Sequence, residues 1–151
     1  MKVYLVQHGI SLPKESDPEK GLSVAGIEQT KLIAGVAENY QIRVKQILHS
    51  GKTRALQTAR IFFAALKPEK PLVSIKGIGP MDDVQSFRTG LDSLDHAMIV
   101  GHLPFMQRLL SLLVCDDADR MVYRFQNSGI VCLEREDGNW FIKWTLNPEV
   151  S

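Results

Sequence analysis

Apolar residues in this chain fall into short runs that alternate with longer periodic stretches. The first run, Lys2-Val3-Tyr4-Leu5-Val6, is β-branched and aromatic, too short for a helix, and stops against Gln7-His8-Gly9, so it predicts a buried strand. A polar stretch from Ile10 to Gly21, with Pro13 and Pro18 inside it, predicts a loop. Ser23 then offers an N-cap to a helix ending near Asn39, with Val24, Ile27, Leu32, Ile33 and Val36 as its apolar positions. Gly26 and Gly35 within that helix predict close packing. Val44 to Leu48 is the second strand candidate, and after Ser50-Gly51 a helix follows with Ala55, Ala59, Phe62, Phe63 and Leu66 on one face, stopped by Pro68 and Pro71.

Leu72 to Ile75 predicts a third short strand, and Gly77, Gly79 and Pro80 break the chain before a helix from about Asp83 to Leu94. Ala97 to Val100 is wholly apolar, as a central strand should be. It leads through Gly101-His102 into a helix from Leu103 to Val114, whose first turn tolerates Pro104. Gly129 to Leu133 and Trp140 to Leu146 flank Asp137-Gly138, a hairpin signal. Strands alternating with helices and closing on a hairpin predict a three-layer α/β/α sandwich. Its sheet is mostly parallel, with helices on both faces and a C-terminal β-hairpin.

A length of 151 residues suits one domain spanning residues 1–151. With 18 basic against 17 acidic residues the net charge is +1, so no bulk field draws the chain to nucleic acid or anionic lipid, and any phosphate binding must be local. Cys115 and Cys132 sit in apolar stretches, which argues for a reducing compartment and against a disulfide framework or a zinc site. The amino terminus has too short an apolar run for a signal peptide, and no stretch is of membrane-spanning length; the expectation is a cytoplasmic protein.

Ligands of open α/β sheets bind beyond the carboxyl ends of the strands. His8 and His102 share that address, each directly after an apolar strand and beside a glycine. A third strand end, Ile47 to Arg54, leads into a helix whose first turn holds Arg54 and whose free N–H groups favour an anion. Two imidazoles, a guanidinium and a helix N-terminus form a site for a phosphoryl group. Arginine grips phosphate oxygens with a planar fork, a neutral imidazole can attack phosphorus, and a second, protonated one can stabilise the charge. His49 and His96 have no such context and read as structural or solvent-facing. Gly51-Lys52-Thr53 imitates the end of a P-loop, but that loop needs a glycine where Gln46 stands. The histidines lack HxH or HExxH spacing, so no metal is expected.

Four segments, in order, resemble the histidine phosphatase (phosphoglycerate mutase-like) superfamily, and most closely its small SixA-type phosphohistidine phosphatases. They are Gln7-His8-Gly9, Leu22-Ser23-Val24-Ala25-Gly26, Ser50 through Ala59, and Gly101-His102-Leu103-Pro104, with Asn127-Ser128-Gly129, Trp144 and Asn147-Pro148 resembling the SixA-type ending. The resemblance implies a phosphoglycerate mutase-like fold and a phosphatase with no cofactor. It makes His8 the transiently phosphorylated nucleophile, with Arg54 and His102 binding the transferring group and Ser50 and the Gly9 backbone adding hydrogen bonds. It also implies a phosphorylated protein, bearing phosphohistidine, as substrate, with a small phosphorylated molecule as the alternative.

The chain departs from that pattern at Gln7, where the superfamily has arginine. An amide can donate to phosphate oxygen but brings no charge, which leaves a retuned phosphatase or a phosphoryl-binding module that has lost turnover. A general acid is the second gap. Asp83 and Asp82 lie near where one would come, with capping of the following helix as their other role, and Asp17 in the first loop is a weaker candidate. Phosphohistidine leaves as an imidazole that can already be protonated, so it needs less acid help than an alkoxide.

Overall fold

Six strands form one sheet in the computed structural model, which describes residues 1–150. They are β1 (Lys2–Gln7), β2 (Gln46–His49), β3 (Val73–Ser74), β4 (Ala97–Gly101), β5 (Ile130–Glu136) and β6 (Asn139–Leu146), in the order β3-β2-β4-β1-β5-β6. The first four run parallel to one another, while β5 is antiparallel to β1 and β6 to β5. The hairpin turns at Asp137-Gly138, both residues at positive φ as a two-residue turn between right-twisted strands requires.

Side chains alternate across the strands, so the sheet feeds two cores. Val3, Leu5, Ile99 and Leu133 face the layer of α3 (Val84–Thr89) and α4 (Phe105–Cys115), where Phe105, Met106 and Leu109 complete the packing. Tyr4, Val6, Met98 and Val100 face α1 (Val24–Asn39) and α2 (Thr53–Leu66) through Ile33, Ala59 and Phe62. The α/β/α sandwich with its terminal hairpin is therefore the architecture. Among the described residues no helix is long and apolar enough to cross a membrane.

The α1 face differs from its apolar pattern. Val24 and Leu32 are 73% and 59% exposed, while Gly26, Thr30, Ile33, Ala34 and Ala37 are buried. Those positions form one helical stripe of mostly small residues, which lets α1 lie close against α2 and the first loop. A Cβ on Gly26 would meet the carbonyl oxygen of Ile10, so close packing holds there; Gly35 faces open space and packs against nothing.

Several boundaries also shift. α3 stops at Thr89, capped by Gly90, and Leu91–Ser93 continues as a separate 3-10 turn that buries Leu91. α4 starts at Phe105 rather than Leu103, because a residue before proline is pushed out of helical conformation. β2 begins at Gln46, and β3 keeps only two exposed residues at the sheet edge. At the other edge Lys143 has no cross-strand partner: Leu133 pairs with Ile142 and Cys132 with Trp144. This bulge turns Trp144 and Leu146 into the α1 core while Trp140 stays in the α4 core. Lys143, bonded to Glu134 at 2.9 Å, blunts the exposed edge.

Candidate active site

Three neighbouring parallel strands end side by side, and the residue after each one carries a polar side chain: Ser50 after β2, His102 after β4 and His8 after β1. Arg54 joins them from the first turn of α2, whose N-terminus has no side-chain cap and so keeps N–H groups free for an anion. The two imidazoles lie with ring centroids 5.1 Å apart. Arg54 donates from Nε to His8 Nε2 at 3.3 Å, and Ser50 Oγ is 2.6 Å from His102 Nε2. The structure thus brings His8, His102, Arg54 and Ser50 together.

His8 Nδ1 lies 2.7 Å from the carbonyl oxygen of Gly9, which can only accept, so Nδ1 carries the proton. Nε2 is left with its lone pair toward Arg54. Gly9 is backed so tightly that a Cβ would stand 2.8 Å from Thr30 Oγ1 and 3.0 Å from Ser128 Oγ. Its N–H donates to Thr58 Oγ1 at 2.9 Å, and Thr58 in turn donates to the Arg54 carbonyl at 2.7 Å. One buried hydroxyl therefore links the segment carrying His8 to the helical turn carrying Arg54.

Burial holds the His8 imidazole down at about 4, with Arg54 and Lys20 adding to the effect against the opposing pull of its bond to Gly9. His102 is only 1% exposed. Burial first, then His8, Arg54, Lys52 and Lys20, hold it down at about 3, and its Nδ1 is buried without a partner. Both rings are therefore neutral at pH 7 in the unliganded protein. The protonated second imidazole expected from sequence is not the resting state, because burial, and after it the surrounding positive charge, disfavours it. That same charge, from Arg54, Lys20 and Lys52, suits a dianion.

Gln7 ends β1 in register with Gly101, its Oε1 buried without a partner. Asp83 caps α3, accepting from Gln85 N at 3.0 Å and Ser86 Oγ at 2.7 Å, and these bonds hold its carboxyl below the usual range. Asp82 accepts from Gly79 N at 2.7 Å, and Asp17 from Gly21 N at 2.9 Å, each closing its own loop. None of the three carboxylates bonds to His8, Arg54, Ser50 or His102. His49 is buried and accepts from Gly51 N, a structural role. Sequence reasoning missed Thr58, Thr30 and Lys20. The first two had a signal, since each is a lone hydroxyl on an otherwise apolar helix face.

A mostly parallel sheet with paired imidazoles and an arginine beyond its carboxyl edge is the fold of the histidine phosphatase, or phosphoglycerate mutase-like, superfamily, and the chain is homologous to phosphatases that share it. No family model matches the chain. Its sequence is similar to the phosphohistidine phosphatase SixA of Escherichia coli (strain K12), 24% identical across 98% of this chain and 94% of that protein. Among solved structures, the protein histidine phosphatase SixA complexed with tungstate superposes with a TM-score of 0.85 at 22% identity, covering 98% of this chain and 97% of the other. The alpha-ribazole phosphatase from Shigella flexneri shares the fold at a TM-score of 0.78 and 15% identity, over 100% and 98% of the two chains.

Proposed function

We propose that the chain hydrolyses phosphohistidine on a protein of the histidine-phosphotransfer type, through a phosphohistidine formed transiently on His8 and without a metal. The observation behind this reading is the tethered His8 ring: Nδ1–H is held by Gly9 O, which presents Nε2 beside Arg54. In the first step the Nε2 lone pair attacks phosphorus, the new N–P bond forms, and the bond to the leaving imidazole breaks. That imidazole departs neutral because its other nitrogen already holds a proton. Arg54 gives up its bond to His8 and grips the phosphoryl oxygens. In the second step water attacks phosphorus, the bond to Nε2 breaks, and inorganic phosphate leaves. Splitting one hydrolysis into two displacements is what a nucleophile on the chain contributes.

Ser50 and Gln7 complete the phosphoryl contacts in this reading; the Gly9 backbone, expected to add one, has its N–H committed to Thr58 and its carbonyl to the His8 ring. The arriving dianion favours protonation of His102, which then stabilises the charge on the oxygens. Asp83 and Asp82 are occupied in loop and cap bonds, so turnover draws on the ready leaving group rather than on a carboxylic acid. The E. coli relative, a phosphohistidine phosphatase by name, supports this substrate class. A phosphoryl-binding module is the second reading, favoured by the missing charge at Gln7.

Trapping labelled phosphate on the protein separates the two. Wild type should take up an acid-labile label that clears in water, and His8→Ala should take up none and lose turnover of both a phosphorylated phosphotransfer domain and an aryl phosphate. Retained turnover in His8→Ala would remove His8 as nucleophile. Tight vanadate binding with no label in wild type would mean a binding module.

A further inference from the structure

Every backbone polar group of the His8-Gly9 segment is held, and one hold comes from the loop before β5. His8 N–H donates to Gly101 O at 3.0 Å. Gly9 N–H donates to Thr58 Oγ1, and Gly9 O accepts from the His8 ring. The remaining acceptor, the His8 carbonyl, is taken by the side-chain amide of Asn127 at 2.8 Å, from 119 residues along the chain. The next residue, Ser128, gives its N–H to the Gln7 carbonyl at 2.9 Å.

Ser128 is fully buried and sits at φ 65, a left-handed conformation that costs a non-glycine residue energy and persists only where its surroundings enforce it. Here the enforcement is visible. Thr30 donates its hydroxyl hydrogen to Gly26 O at 2.6 Å, which leaves its oxygen to accept from Ser128 Oγ at 2.7 Å. Strain is thus held in a buried serine whose backbone and neighbour grip the two peptide units on either side of the His8 Cα.

We propose that Asn127 is a positioning residue for the His8 ring, with Ser128 as its strained anchor: together they fix the peptide planes around His8 so that Gly9 O captures Nδ1–H and Nε2 keeps its lone pair. The proposal rests on the reading of His8 as nucleophile. A histidine's tautomer is set by the bond its other nitrogen makes. Once the His8 carbonyl is released, the His8–Gly9 peptide is held only at its N–H by Thr58 and can tilt about that bond. Gly9 O, carried on the next peptide, then shifts off Nδ1, and the proton is free to move to Nε2, where it blocks attack. Arg54, Ser50 and His102 are held by other elements, so ligand binding survives while the chemical step suffers.

The test uses the full chain with Asn127→Ala and with Asn127→Asp, which keeps the shape but cannot donate. Long-range proton–nitrogen NMR of the His8 ring is read in unliganded protein above the imidazole titration range, with Arg54→Ala added throughout for this readout so that its Nε–H no longer holds Nε2 as an acceptor. It should show a single Nδ1–H tautomer with Asn127 present and a mixture in both Asn127 variants. With an aryl phosphate, kcat should fall by about 10²-fold, the scale of a misplaced reacting group, with KM little changed. The proposal is overturned if either folded variant keeps the pure Nδ1–H tautomer or wild-type kcat, or if KM alone rises. Should the alanine variant fail to fold, the aspartate variant decides alone. The tautomer readout needs no turnover, so it still tests the hold of Asn127 on the ring if wild type takes up no phosphate label; that result would sink the phosphatase reading separately.

Discussion

Position 7 is where one residue bears most on the chemistry. Gln7 is the last residue of β1, and its Oε1 is buried without a partner, a desolvated acceptor for which burial offers no compensation. An amide that turns its NH2 group toward a bound phosphoryl would supply a neutral donor; the superfamily's arginine would supply a charged fork. Both donors would meet a charged acceptor, but the guanidinium adds a positive charge and a second parallel bond, and a hydrogen bond to a charged group is worth about 1.5–3 kcal/mol. Gln7→Arg should accordingly lower the inhibition constant for vanadate by roughly 10-fold or more. An unchanged constant would place side chain 7 outside the phosphoryl pocket, and the positive field would then come from Arg54, Lys20 and Lys52 alone.

Elements decide which carboxylates are available. α3 is six residues long and cannot stand on its own hydrogen bonds, so the Asp83 cap matters to it. Asp83→Ala should raise hydrogen exchange across Val84–Thr89 and lower the melting temperature, while kcat for an aryl phosphate stays at the wild-type level. A fall in kcat of a hundredfold with loss of the basic limb of the pH profile would instead make Asp83 the proton donor. Strand and helix order was legible in the chain because central strands are uninterrupted apolar runs and helices begin at Ser23 and end near prolines or glycine. The α1 face was not, since its buried stripe consists of Gly26, Thr30, Ala34 and Ala37 around one isoleucine, and a hydrophobicity pattern overlooks small residues. The positions of His8, His102 and Arg54 were legible from strand ends. The links among them were not: Thr58 and Asn127 act through backbone bonds that pair residues 49 and 119 apart, which no local pattern encodes.

Over the whole molecule, the cost of keeping imidazoles neutral should appear as acid sensitivity. In the unfolded chain each of the two site histidines takes up a proton near 6.5; in the folded protein burial delays this to about 4 for His8 and about 3 for His102. Buried His49, beside Arg60, is lowered in the same direction. Between those values the unfolded state binds more protons, so stability falls as pH drops from 6.5 toward 4, by about 1.4 kcal/mol per pH unit for each histidine fully affected. Below that window the histidine contribution flattens. Carboxylates such as Asp95, held down at about 2 by bonds from Lys2 N, His96 and Lys45 against the opposing effect of burial, then lose their own contribution. Urea midpoints measured from neutral pH down to pH 4.5 should therefore fall steeply in wild type and less steeply in His102→Gln. Inorganic phosphate should flatten the wild-type slope, because a bound anion favours the protonated rings and binds only the folded state. Equal slopes in wild type and His102→Gln would show that His102 is not held neutral in the native site. A slope unaffected by phosphate would show that the anion does not reach the two rings.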